Sequence, residues 1–131
     1  MSIEVRIVDG PLPADAGHAD DCEGRGDVGA LVQFEGIVRG VEGGRGITAL
    51  DYEVYEPMAH REIEKLAAHL VAEHKLHGLR IEHSRGRVGV GECSFRLVVT
   101  AAHRGPAFRA ATEFIDRLKQ DIPIWKSPRT D

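Results

Sequence analysis

Cysteine is nearly absent from this 131-residue chain: Cys22 and Cys93 are the only two, far apart, so no close-spaced pair can build a thiolate zinc site or a redox motif. Cys93 alternates with Phe95, Leu97 and Val99, the pattern of a strand residue turned toward a core. Cys22 stands in a polar stretch with nothing to activate it, so a Cys/His nucleophile pair is unsupported. Long apolar runs are missing too. No segment approaches the roughly 18 apolar residues of a membrane span, and Met1 to Arg6 lacks a stretch of signal-peptide type. The expected compartment is the cytoplasm. An excess of positive charge is also lacking: the formal net charge is -4, which argues against a general nucleic-acid binder held by overall attraction to phosphates. A local basic pocket remains compatible with that balance.

Several catalytic signatures are absent as well. Of the seven histidines, His69, His74 and His77 lie close in sequence, but without the His-Glu-x-x-His spacing that sets two ligands on one helix face. No acidic or cysteine set completes a site, so no metal and no cofactor is expected, and these read as solvated helix histidines. Gly40, Gly43, Gly44 and Gly46 form a glycine run without the Gly-Lys-Ser/Thr that opens a helix in a phosphate loop, and a strand pattern follows it. Glu53 and Glu56 do not make a glycosidase-type carboxylate pair, since they face opposite ways along a strand.

What is present fits one compact domain over residues 1–131, a size at which about two-thirds of the unfolded surface is buried without a staple. Ile3, Val5 and Ile7 alternate as a first strand, ended by Gly10, Pro11 and Pro13. Residues 14–28 are compatible with a short helix or a loop. From Ala30 to Arg39 a strand places Ala30, Val32, Phe34, Gly36 and Val38 on one side, with Arg39 at its rim. The glycine run is then expected to turn it into an antiparallel hairpin with Ile47 to Tyr55. Pro57 starts a helix with Ala59, Ile63, Leu66, Ala67 and Leu70 on one face and Gly78 as its stop. A strand at Leu79 to His83, a turn at Ser84 to Gly86 and a longer strand pattern from Val88 to Thr100, broken at Gly89 and Gly91 in the manner of a bulge, precede a helix from Pro106. Two principal helices among many strands predict an α+β fold with a mostly antiparallel sheet.

The chemistry concentrates near the C-terminus. On a helical wheel of about 100° per residue, Phe108, Ala111, Phe114, Ile115 and Leu118 share a face, and Lys119 falls about 20° beyond Phe108. A lysine on that border can keep its stem dry and aim its ammonium into a pocket. His103 and Arg104 precede the helix, Lys126 follows it, and Arg39 ends a strand upstream. Cations of this kind suit an anionic ligand, with arginine as a planar fork for phosphate and the helix start adding favourable dipole. Trp125 reads as an anchor that pins the tail so that Lys126 is held.

His103-Arg104, Ala107-Phe108, Asp116-x-Leu118-Lys119 and Pro123-Ile124-Trp125-Lys126 together resemble the signature of the molybdopterin synthase catalytic (large) subunit family. Two further blocks are similar in order and spacing: Gly29, Ala30, Phe34, Gly36, Val38 and Arg39, then Leu50, Tyr52, Glu53, Tyr55, Met58 and Ala59. The resemblance implies an enzyme that adds two sulfurs to cyclic pyranopterin monophosphate, forming the dithiolene of molybdopterin. Sulfur would arrive as a thiocarboxylate at the C-terminus of a small ubiquitin-like partner, which accounts for the missing nucleophilic cysteine. It implies catalytic roles for Lys119 and Lys126, and substrate binding by Arg39, His103 and Arg104. It also implies a homodimer of large subunits within a heterotetramer, with pockets that borrow residues across the dimer. The chain departs from the family after Lys126, where it reads Ser127-Pro128-Arg129, and at His83-Ser84-Arg85-Gly86, where many members have His-Arg-x-Gly. A partner-binding scaffold without turnover stays open as an alternative, as does, more weakly, a generic phosphate binder.

Overall fold

The computed structural model describes residues 2–14, 22 and 26–131, so most of the 14–28 stretch lies outside the described residues. Eight strands and two long helices are described: β1 (Ser2–Asp9), β2 (Ala30–Ile37), β3 (Val41–Glu42), β4 (Arg45–Gly46), β5 (Ala49–Val54), α1 (Met58–His74), β6 (Gly78–Gly89), β7 (Cys93–Ala101), α2 (Arg104–Asp121) and β8 (Ile124–Arg129). The main sheet runs β2-β7-β6-β5-β8, with β1 added to β6. Every pairing is antiparallel except β1 with β6. The α+β, mostly antiparallel expectation holds.

β6 organises the sheet because it is long enough to serve two partners along one edge. Its first part pairs with β1, from Ser2↔Gly78 to Asp9↔Arg85, and its last part with β5, from Tyr52↔Gly86 to Ala49↔Gly89. Gly86 sits at the changeover with φ of 89°, a conformation costly for side chains with a Cβ. The turn expected at Ser84 to Gly86 is therefore a point inside a continuous strand. Local glycine content signalled an irregularity, but pairing on both sides carries the chain through it.

The hairpin expected between β2 and β5 does not form. β2 pairs with β7 and ends the sheet, while the glycine run folds on itself as the small β3–β4 ribbon. At Gly36 a Cβ would stand 3.4 Å from that of Phe95, in ordinary contact across the β2–β7 pair.

α1 buries Ala59, Ile63, Leu66, Ala67, Leu70 and Val71, the face expected from spacing. It stops at Lys75 in a left-handed conformation (φ 54°), not at Gly78, which opens β6 where a Cβ would crowd Ser2. α2 begins at Arg104, earlier than Pro106, and buries Ala107, Ala110, Ala111, Phe114 and Leu118. Phe108, expected on that face, is 59% exposed. The small alanines let α2 lie close against the sheet, which leaves no room under it for a second large ring near its start. Both helices share one core with the β1, β6 and β7 residues Ile3, Val5, Leu79, Ile81, Phe95, Leu97 and Val99.

On the opposite side of the sheet, Arg96 is 2% exposed and is held by Glu35 (2.6 Å), Glu82 (2.9 Å) and the Pro13 carbonyl oxygen (2.6 Å). Burial alone would depress its pKa, but the two carboxylates outweigh that and raise it. This buried charge is satisfied, and it ties the segment after β1 to β7.

Candidate functional site

A cleft of about 440 Å³ is lined by the C-terminal half of α2 and by residues of the sheet. Its floor is aromatic: Phe34, Tyr52, His83 and Phe95 form a contiguous set, with Phe34 and Phe95 at 6.0 Å, His83 and Phe95 at 5.9 Å, and Tyr52 edge-on to His83 at 5.2 Å. Phe114 of α2 stacks beneath Phe95 at 6.4 Å and fixes the floor to the core. Arg39, Glu42, Lys119 and Lys126 stand around this floor. The strand alternation that buries Ile81 also turns His83 to the helix side, and the break after α2 lets Lys126 return beside Lys119.

Three cations against one carboxylate make the cleft electropositive in a chain whose net charge is -4. Glu42, brought in by the β3–β4 ribbon, pairs with the Lys126 ammonium at 3.1 Å. Tyr52 donates its hydroxyl to Ser94 Oγ at 3.0 Å, and Ser94 donates in turn to the Gly36 carbonyl at 3.5 Å, tying three strands together at the cleft wall. His83 is 5% exposed, and burial pushes its pKa below the ordinary imidazole range against the opposing bond to the Ser84 carbonyl. No cysteine is among the cleft residues, and burial raises the pKa of the Cys93 thiol.

The family model described as MoaE protein matches residues 7–121. The chain belongs to the MoaE family. A molybdopterin synthase catalytic subunit of Mesorhizobium japonicum is 42% identical over 110 residues, which is 83% of this chain and 68% of that protein. Another, of Thermoplasma volcanium, is 40% identical over 102 residues, 78% of this chain and 74% of that one. Among solved structures, molybdopterin synthase from Staphylococcus aureus superposes with a TM-score of 0.84 at 27% identity, covering 95% of this chain and 90% of that chain. The complex of subunits 1 and 2 of the molybdopterin-converting factor from Helicobacter pylori gives 0.79 at 28% identity, covering 95% and 83%.

Within this MoaE-family fold, Arg39, Lys119 and Lys126, singled out from sequence, do come together in one cleft. His103 and Arg104 do not join them. They are exposed at the opposite end of α2, and Arg104 is 15 residues before Lys119, about 22 Å at helical rise. Trp125 is 56% exposed at the cleft mouth, so it does not pin the tail by burial. The ladder of β8 on β5 does that, in register from Val54↔Ile124 to Ala49↔Arg129. Arg129 pairs with Asp51 at 2.9 Å on that ladder, outside the cleft lining.

Glu42 and Ser94 lacked a signal as site residues, and His83 carried a signal without an assigned role. His83 reads as an ordinary alternating strand position, and Glu42 is hidden in a glycine-rich turn. The clues to His83 were a histidine among apolar alternates and its place at the head of the segment where many family members have His-Arg-x-Gly. His69 and His74 lie elsewhere, against carboxylates: His69 Nε2 to Glu73 at 2.9 Å and His74 Nε2 to Glu113 at 3.1 Å. His69, Glu73 and Glu113 bring their ligand atoms within 4.8 Å of one another on the surface of the two helices.

Proposed function

We propose that this chain is the catalytic subunit of a molybdopterin synthase, transferring sulfur from the C-terminal thiocarboxylate of a small ubiquitin-like subunit to cyclic pyranopterin monophosphate. The observation that carries the reading is the convergence of Arg39, Lys119 and Lys126 on one aromatic-floored cleft that contains no thiol. Sulfur brought by a partner needs no protein cysteine, but it needs cations to hold two anions together, the phosphate and the thiocarboxylate terminus. The Helicobacter pylori relative, solved as a complex of two subunits, supports a chain that works with a partner.

Arg39 offers a planar fork to phosphate, while Lys119 and Lys126 present ammonium groups that stabilise the incoming terminus, form a transient adduct with it or move protons. His103 and Arg104 would bind the substrate of a neighbouring copy, in a homodimer within a heterotetramer. Among the described residues β2 is an edge strand and Phe108 is exposed, and both support such an assembly. Among the described residues no helix is long and apolar enough to cross a membrane.

The test is reconstitution with the thiocarboxylated small subunit and cyclic pyranopterin monophosphate. Dithiolene product is expected from the unaltered chain. Lys119→Ala should lower its formation by about 100-fold or more, the usual contribution of a positioned acid or base. Its melting temperature should hold, because Lys119 is exposed and outside the core. Tight small-subunit binding by the unaltered chain without product would favour the scaffold instead.

A further inference from the structure

His83 occupies the cleft floor with a defined tautomer. It lies in register with Phe95 of β7 and Ile7 of β1, and it is 5% exposed between Tyr52 and Phe95. Nδ1 is 2.7 Å from the Ser84 carbonyl oxygen. A carbonyl can only accept, so Nδ1 carries the proton and the neutral ring has its lone pair on Nε2. Burial keeps the ring neutral near pH 7. Since His83 also lines the cleft and Nδ1 is committed to the backbone, Nε2 is the ring nitrogen left for a ligand.

The other polar groups of the cleft define what that nitrogen is for. Arg39, Lys119 and Lys126 only donate. Glu42 accepts, but from Lys126, and the Tyr52 and Ser94 hydroxyls are bonded in series. A flat heterocycle with N–H groups of its own, lying on this aromatic floor, would meet donors on most sides and needs an acceptor. A neutral acceptor fills that need without cancelling the positive field that holds the phosphate.

We propose that His83 is a substrate-reading residue whose Nε2 lone pair accepts a hydrogen bond from a ring N–H of the pterin and so orients it beneath Lys119 and Lys126. This rests on the sulfur-transfer reading and adds to it the residue that reads the heterocycle, as distinct from its phosphate.

The experiment uses the chain assembled with a small subunit ending in an ordinary carboxylate, so that the pterin binds without turnover. His83→Phe keeps the ring packing and removes both nitrogens. It should weaken pterin binding about tenfold, the value of one buried hydrogen bond, with small-subunit affinity unchanged. His83→Gln, which restores a carbonyl acceptor, should recover part of the loss. With thiocarboxylated partner, His83→Phe should raise KM for the pterin far more than it lowers kcat. In the unaltered chain, long-range nitrogen NMR should show the Nε2 signal of His83 moving when pterin is added. Pterin affinity within twofold for His83→Phe, equal losses toward pterin and small subunit, or an unmoved Nε2 signal would each overturn the assignment. An unaltered chain that binds pterin but forms no product would instead sink the sulfur-transfer reading, while the affinity difference still decides the role of His83.

Discussion

Glu42 places a carboxylate on Lys126 where a carboxylate-like terminus is expected to arrive. The pair is half exposed on the lysine side, with 52% of that side chain open to solvent, so its strength is that of a surface ion pair, about 0.2–1 kcal/mol. Glu42→Gln should therefore improve the affinity for the small subunit's carboxylate terminus up to about fivefold, and added salt should shrink the gain. Titration calorimetry at two ionic strengths checks both. His83 makes a second residue-scale prediction, about acid. Its folded-state pKa is lowered by burial, so the unfolded chain binds more protons below the ordinary imidazole value. Stability is then fully present above about pH 6.5 and falls as pH drops through the window beneath it. Melting temperatures measured from pH 7.5 to 5 should decline less in His83→Phe than in the unaltered chain. At this scale the cations were legible because charge beside an apolar helix face has few explanations. His83 was not, since its meaning depends on the neighbours that burial supplies from three strands.

Helical elements were the most legible, because a face such as Ala59, Ile63, Leu66 and Leu70 repeats over about three turns and survives any rearrangement around it. Strand identity was legible too, but strand partnership was not. β2 and β5 are separated in sequence only by the β3–β4 ribbon and yet lie on opposite sides of β7 and β6, an arrangement of long-range pairings that no local pattern contains. β8 was missed altogether, since Lys126, Ser127 and Pro128 carry no apolar alternation, and an exposed edge needs none. Gly86 is where this division can be measured. Nothing lies within 4 Å of a Cβ built there, yet φ is +89°, so the cost of Gly86→Ala is backbone strain alone, about 1–3 kcal/mol. Urea denaturation should show a lower midpoint with an unchanged slope, as expected for lost stability without a change in exposed surface.

The whole molecule carries a negative net charge and a positive cleft, an arrangement that draws anionic ligands to one place and keeps other surfaces from competing for them. The cleft is nevertheless incomplete relative to the cations the family signature brings along. His103 and Arg104 stand about 22 Å from Lys119 along α2, too far for their side chains to reach the same ligand within one chain. If they serve the cleft of a second copy, each site combines Lys119 of one chain with Arg104 of the other. The consequence is a complementation pattern that a site contained in one chain cannot produce. Lys119→Ala and Arg104→Ala homodimers should each be nearly inactive. After unfolding and refolding together, half the dimers should be mixed, each with one site carrying both substitutions and one site carrying neither. About a quarter of all sites should then be intact, and product formation should return to about a quarter of the unaltered rate. A mixture that stays as inactive as its parents, with mixed dimers demonstrated by differential tagging, would overturn the shared site, and an active Arg104→Ala homodimer would place Arg104 outside the reaction.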